Sequence, residues 1–339
     1  MQIINLSRPV VLLIAGLVGL LVSSVGVKSV LASANVLIPE PGRPKRIPAY
    51  FDNNFYQENV DSDLLPPGFR FAVIGDYGDN SQAEADVADL VKDLAPDIVI
   101  TTGDNNYPDG AAETIDINIG QYYSDFIFPY DGDYGPGALE NRFFPSLGNH
   151  DWVTDNAQPY LDYFTLPGNE RYYDFKWDLV HFFVLDSDSY LYRSDEVQAD
   201  WLETNLTSSE SRWKIVVTHY PPYSSSHHGS KAGMQWPYVD WGADALLAGH
   251  DHTYERISPP GDILYFVNGL GGRSIYGFPS IIEDSQVRYN EDYGAMLVEV
   301  NLGEMRFQFI NRQGEIIDDI SLEKPVEYQY IPILLQANP

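Results

Sequence analysis

Residues 70–104 read RFAVIGDYGDNSQAEADVADLVKDLAPDIVITTGD. The stretch opens on the apolar run Phe71-Ala72-Val73-Ile74, which has the length of a buried strand, and stops at Gly75-Asp76. Ser81, followed three residues later by Glu84, forms a capping box and starts a helix. The predicted apolar face of that helix is Ala83, Val87, Leu90, Val91 and Leu94, and Pro96 closes it. Ile98-Val99-Ile100 is a second strand, ending at Gly103-Asp104. The intervening helix carries the chain back to its starting edge, so the two strands are expected to run parallel. Both acidic tips then fall at one edge of a sheet.

The same grammar of apolar run and polar tip recurs downstream. Residues 143–147 lead into Gly148-Asn149-His150-Asp151, and residues 181–185 into Asp186. Residues 213–217 lead into Thr218-His219, and residues 245–248 into Gly249-His250-Asp251-His252. Apolar runs at 263–267, 295–300, 305–310 and 316–322 make a strand-rich finish. One α/β domain is expected, with two mixed β-sheets packed face to face as a sandwich and flanked by α-helices. Ligands of such sheets gather beyond the carboxyl ends of the strands, where these tips converge.

The rest of the chain bounds the answer. Among 339 residues, 49 are Asp or Glu and 20 are Lys or Arg, a formal net charge of −29 that argues against nucleic acid as a partner. With no cysteine there is no disulfide-linked oligomer, no thiolate metal site and no cysteine nucleophile, so a metal would need His, carboxylate, amide or phenolate donors. Residues 1–34 read as an export signal: Arg8, an apolar run over 10–22, then Ala32-Ser33-Ala34 as a small-residue cleavage site. The alternative is a retained membrane anchor, because the charge-free stretch from Pro9 to Val27 approaches the ~20 residues a bilayer requires. Cleavage leaves a secreted protein, periplasmic or extracellular, without stable membrane insertion. Residues 35–69 carry six prolines and read as an extended arm, residues 70–325 as the catalytic domain and residues 326–339 as a tail.

Of seven histidines, only His181 lies outside a polar tip or the loop after one, and it reads as a structural histidine within a strand. His150, His219, His227, His228, His250 and His252 accompany Asp76, Asp104 and Asn149. Neutral imidazoles and hard oxygens on adjacent strand tips are what one or two di- or trivalent metals require.

In order, the blocks Asp76-Tyr77-Gly78, Gly103-Asp104-Asn105-Asn106-Tyr107, Gly148-Asn149-His150-Asp151, Val216-Val217-Thr218-His219 and Gly249-His250-Asp251-His252 resemble those of the purple acid phosphatases. These belong to the calcineurin-like metallophosphoesterase superfamily, and the chain is similar to its small, single-domain, tartrate-resistant type. The resemblance spans roughly residues 70–322. It implies a ferric site of Asp76, Asp104, Tyr107 and His252, with the Tyr107 phenolate as the source of colour. It also implies a second, divalent site (Fe(2+), Zn(2+) or Mn(2+)) of Asp104, Asn149, His219 and His250, bridged by Asp104. Two such cations clamp a phosphoryl group and present a bound hydroxide for in-line attack. The resemblance places Asn149, His150 and His228 against substrate, with the two histidines as outer-sphere groups that protonate the leaving oxygen. His228 fits because it lies nine residues after His219 and precedes Gly229, and His227 is its competitor.

The implied activity is hydrolysis of small phosphate monoesters, and of anhydrides in addition. A histidinium donor predicts an acidic optimum that fades as pH rises through about 6.5. A phosphodiesterase or nucleotidase with the same metals is the alternative, and a non-catalytic binding protein a minor one. Arg256 reads as a salt-bridge partner, Gly269-Leu270-Gly271-Gly272-Arg273 as a tight turn at the rim of the site, and residues 108–140 as an excursion beside it.

Overall fold

The computed structural model describes residues 68–188, 196–261 and 263–326. The leader, all but the last two residues of the arm, and residues 327–339 lie outside the described residues. Two mixed sheets are present, as the chain pattern predicts. The first has the order β13-β12-β11-β1-β2-β3, built from β1 (Phe69–Ile74), β2 (Ile98–Thr101), β3 (Phe143–Pro145), β11 (Gly294–Val300), β12 (Glu304–Asn311) and β13 (Ile316–Glu323). The second has the order β10-β8-β9-β7-β6-β5-β4. It comprises β4 (Tyr173–Trp177), β5 (Val180–Val184), β6 (Trp213–Val217), β7 (Ala245–Ala248), β8 (Tyr254–Ile257), β9 (Leu264–Asn268) and β10 (Ser285–Tyr289).

Each sheet has a parallel part: the β1, β2 and β3 side of the first, and the centre of the second, β5, β6, β7 and β9. Parallel strands covered on both faces read as continuous apolar runs, which is why they are legible in the sequence. Inward-facing residues of the two sheets meet ring on ring, with Phe71 5.1 Å from Phe182 and Phe266 4.7 Å from Phe307 between centroids. The outer face of the second sheet packs Phe183, Val216 and Leu246 against Leu202 and Leu206 of a helix spanning Glu196–Ser208. The period-two alternation of strands assigns these two sets to opposite faces.

The helix after β1, α1 (Gln82–Asp93), is rotated relative to the sequence prediction. Its buried residues are Glu84, Val87, Ala88 and Val91, while Leu90 is only partly covered. Glu84 causes the rotation. Ser81 accepts from the Glu84 backbone as a cap should, but the Glu84 carboxylate reaches back to the N–H groups of Asp79 and Asn80, at 3.0 and 2.7 Å. Satisfying those donors requires the acid to turn inward, where it is fully buried.

Residues 108–140 are likewise more than a loop excursion. Their helical turns over 112–126 bury Ile115, Ile119, Tyr123 and Phe126 in the main core. Asn118 donates to Gly78 O, Asn106 Oδ1 and Tyr107 O, tying the segment to the loops after β1 and β2. The apolar positions are spaced by four and three residues within a stretch rich in Asp, Gly and Tyr, and that composition masks the period.

Candidate metal centre

The loops after β1, β2, β3, β6 and β7 bring the seven expected ligands to one edge of the sandwich. Asp104 is the hub. Its Oδ2 lies 2.9 Å from the Tyr107 phenol oxygen and 3.4 Å from Nε2 of His219. Asp76 Oδ1 is 3.4 Å from the same phenol oxygen and 3.4 Å from Nε2 of His252. The phenol oxygen is itself 3.3 Å from His252 Nε2. On the other side, His219 Nε2 is 3.0 Å from Asn149 Oδ1, and the His250 ring stands 5.0 Å from that of His219 between centroids. Tyr107, Asp76, Asp104 and His252 thus form one group, and Asp104, Asn149, His219 and His250 a second, with Asp104 in both.

The backbone is bent to achieve this. Asp76, Asp104 and His250 have φ of 54°, 52° and 69°, a region that costs a residue bearing a Cβ, and such strain gathers at functional sites. Glycine precedes them for a steric reason. A Cβ on Gly75 would sit 1.9 Å from Thr102 Oγ1, one on Gly103 2.7 Å from Nδ1 of His219, and one on Gly249 2.7 Å from Asp76 Oδ2. Close approach lets backbone donors occupy the outer carboxylate oxygens. The His250 N–H binds Asp76 Oδ2 at 2.9 Å, and the His150 N–H binds Asp104 Oδ1 at 2.8 Å. The inner oxygens remain for the shared space.

The imidazoles are oriented by their second nitrogens. His219 Nδ1 is 2.8 Å from Thr102 O and His252 Nδ1 2.8 Å from Ser274 O. In the neutral tautomers those nitrogens donate, which aims the Nε2 lone pairs at the carboxylates. Lone pairs facing anions need a cation between them, so the donors fit a metal centre. The charges agree. Burial penalises the His219 cation, yet the Asp104 and Asp76 carboxylates push its pKa up to about 10, the mark of a site that favours positive charge. Burial also works against the Asp104 anion, but His219 and then His150 hold it well below the usual carboxylate range. Burial, followed by the negative Asp104 and Asp76, drives the Tyr107 phenol well above its ordinary value. Burial, and then the charges of His219 and His228, push the His250 pKa well below the usual imidazole range.

His150 and His228 flank the two groups. The His150 side chain is 37% exposed, with Nδ1 on Pro108 O and Nε2 4.0 Å from Asp104 Oδ2. The His228 ring stacks 4.2 Å from that of His250, whereas the His227 ring packs 5.7 Å from Tyr276. His181 bonds through both nitrogens, to Ser209 Oγ at 2.8 Å and Asp174 Oδ2 at 2.7 Å, as a structural histidine would. Arg256 pairs with Asp318 at 2.7 Å.

Three positioning residues have no role in the sequence reading. Asp151 accepts from the N–H groups of Asn105, Asn106 and Gly148 and from the Asn105 amide, locking the β2 and β3 loops together. Asp251 accepts from the His228 N–H at 2.8 Å and from Ser224 Oγ, fixing the loop that presents His228. Arg273 lies over the Tyr107 ring, 4.8 Å from its centroid. Both aspartates sit beside ligands in quoted blocks, and that adjacency was the available signal. Arg273 comes from a distant turn, which local spacing does not connect to Tyr107.

Comparison with known proteins places the chain among relatives. A family model described as calcineurin-like phosphoesterase matches residues 69–254. The chain is 26% identical over 292 residues to purple acid phosphatase 3 of Arabidopsis thaliana, covering 73% of this chain and 75% of that protein. Among solved structures, purple acid phosphatase PPD1 from yellow lupin seeds superposes with TM-score 0.60 at 18% identity, over 75% of this chain and 53% of that one. GAP50, described as the anchor in the inner membrane complex of Plasmodium, superposes with TM-score 0.61 at 19% identity, over 76% and 89%.

Proposed function

The chain belongs to the calcineurin-like phosphoesterase family and is a hydrolase of phosphate esters; from that premise we propose an exported acid phosphatase of the purple type, acting on phosphate monoesters. The fold alone does not carry this reading, since a protein described as an anchor shares it. The convergence of the Tyr107 phenol oxygen on Asp76, Asp104 and His252 does. A phenol among two carboxylates and an imidazole is a donor set for a hard trivalent cation such as Fe(III), and Asn149, His219 and His250 with Asp104 suit Fe(2+), Zn(2+) or Mn(2+). Cations bound there would neutralise a phosphoryl group and make water nucleophilic near neutral pH.

The chain's own residues do the rest. Asp104 and Asp76, their outer oxygens tied to backbone N–H groups, hold fixed positions facing the substrate. The Asn149 amide, beside His219, orients a phosphoryl oxygen. His150 and His228 supply protons to the departing ester oxygen, an assistance typically worth 10²–10⁴-fold. Export rests on the Ala32-Ser33-Ala34 ending of the leader. Among the described residues no helix is long and apolar enough to cross a membrane. The test pairs a visible absorption spectrum and metal analysis with turnover of p-nitrophenyl phosphate and its bis ester. Coloured, iron-containing protein that prefers the monoester is expected. Strong preference for the diester would replace this reading with a phosphodiesterase, and colourless iron-loaded protein would remove the phenolate ligand.

A further inference from the structure

We infer that Arg273 is a positioning residue for the Tyr107 donor, its guanidinium holding positive charge against the ring face so as to set the energy at which that ring yields an electron to a ferric ion. The inference rests on the ferric reading of the site given above.

The geometry is built rather than incidental. The guanidinium carbon lies 4.8 Å from the Tyr107 centroid, inside the range in which a cation is attracted to a ring face. It is braced from behind by Asp79, whose Oδ2 accepts from Arg273 Nη1 at 2.9 Å and whose side chain is 15% exposed. The turn that carries it is pinned to the β1 tip, with Gly271 N on Gly75 O at 2.9 Å and Arg273 N on Asp76 O at 3.0 Å. Gly272 packs so closely on α1 that a Cβ there would meet the Glu84 Cα at 2.7 Å. The backbone that carries the charge is therefore fixed beside the ring, and Asp79 is what holds the side chain, itself 41% exposed, against it.

The surroundings give this cation an electrostatic task. Asp76 and Asp104 press negative charge on the phenol oxygen within 3.4 Å, and the whole chain carries −29. Arg273 is the permanent cation on the Tyr107 ring among the described residues, whereas the His150 ring, 4.4 Å away between centroids, is charged only when protonated. A positive charge nearer the donor ring than the metal stabilises an electron on the ring more than one on the metal. Moving an electron from ring to metal then costs more energy with Arg273 present, and the visible band lies at shorter wavelength.

The test is the position of that band, read with iron content, in wild type and in Arg273→Leu, Arg273→Lys and Asp79→Asn. Arg273→Leu is expected to shift the band to longer wavelength by on the order of 10 nm or more, as a Coulomb estimate for a unit charge at this range suggests. Arg273→Lys, which keeps the charge, should shift it less. Asp79→Asn, which removes the anion that offsets the guanidinium, should shift it the other way, to shorter wavelength. Arg306→Leu, on the exposed Arg306–Asp319 pair, is the control for a simple change in net charge. An unmoved band in iron-replete Arg273→Leu overturns the inference. If that variant does not fold, an unmoved band in iron-replete Arg273→Gln, which also removes the charge, does so. Colourless iron-loaded wild type would instead overturn the ferric reading itself, and this inference with it.

Discussion

The Tyr107 phenol oxygen stands 2.9 Å from Oδ2 of Asp104, and that same carboxylate oxygen is 3.4 Å from Nε2 of His219. One atom therefore adjoins both halves of the centre. Tyr107→Phe removes a donor from one half while leaving the packing of the ring intact. The expected outcome is loss of the visible band and at least a tenfold fall in kcat/KM, with the divalent ion retained. Absorption spectra beside metal analysis check it, and an unchanged spectrum would exclude Tyr107 as a ligand.

The strands that matter most for the site were legible because they are buried on both faces. β1, β2, β6 and β7 are apolar runs ended by glycine or threonine and a ligand, and parallel pairing puts their tips at one edge. The less buried strands β4 and β10, and β8 with its buried Glu255, mix charged with apolar residues, as in Tyr-Asp-Phe-Lys-Trp, and give no such signal. The face of α1 was misread for a different reason. A hydrophobic period does not anticipate an acid such as Glu84 turning inward to bind backbone donors. Asp151 and Asp251 were visible as residues but not as clamps, since their partners lie on other loops.

Asp151→Asn tests one clamp. Burial, then the negative Asp104, pushes the Asp151 carboxyl up to about 7, while four N–H groups converging on its two oxygens favour the anion. An amide puts an NH2 among those donors and leaves at least one N–H without an acceptor. A loss of about 2–3 kcal/mol in unfolding free energy is expected, together with weaker metal retention. Denaturant titration and dialysis against chelator measure the two effects, and a loss below half that size would mean the loops are held otherwise.

His228 and His227 are separated by leaving-group dependence. The His228 ring stacks on His250 at 4.2 Å, while the His227 ring contacts Tyr276 at 5.7 Å. A proton donor matters most when the departing oxygen is a poor leaving group. His228→Ala should lower kcat for an alkyl phosphate about 10²-fold and for p-nitrophenyl phosphate much less. His227→Ala should change both by under threefold. The reverse pattern would make His227 the donor.

Glu84 yields a pH prediction that does not involve turnover. Burial, only partly offset by the Asn80 and Asp79 N–H groups, raises its carboxyl from 4.5 to about 9. In the unfolded chain it titrates near 4.5, so between these values the folded state holds a proton that the unfolded state has released. This contribution to stability is full below about 4.5, declines as pH rises, and is lost once pH passes about 9. At 1.36 kcal/mol for each pKa unit, the range is on the order of several kcal/mol. Glu84→Gln keeps an oxygen for the Asp79 and Asn80 donors and cannot ionise. The unfolding free energy of the variant relative to wild type should therefore rise by several kcal/mol between pH 5 and pH 9. Taking the difference between the two proteins cancels the other titrating groups, including the metal ligands. Parallel stability curves for the two proteins over that interval would show that Glu84 is ionised in its buried position, with its second oxygen bound by a partner beyond those described.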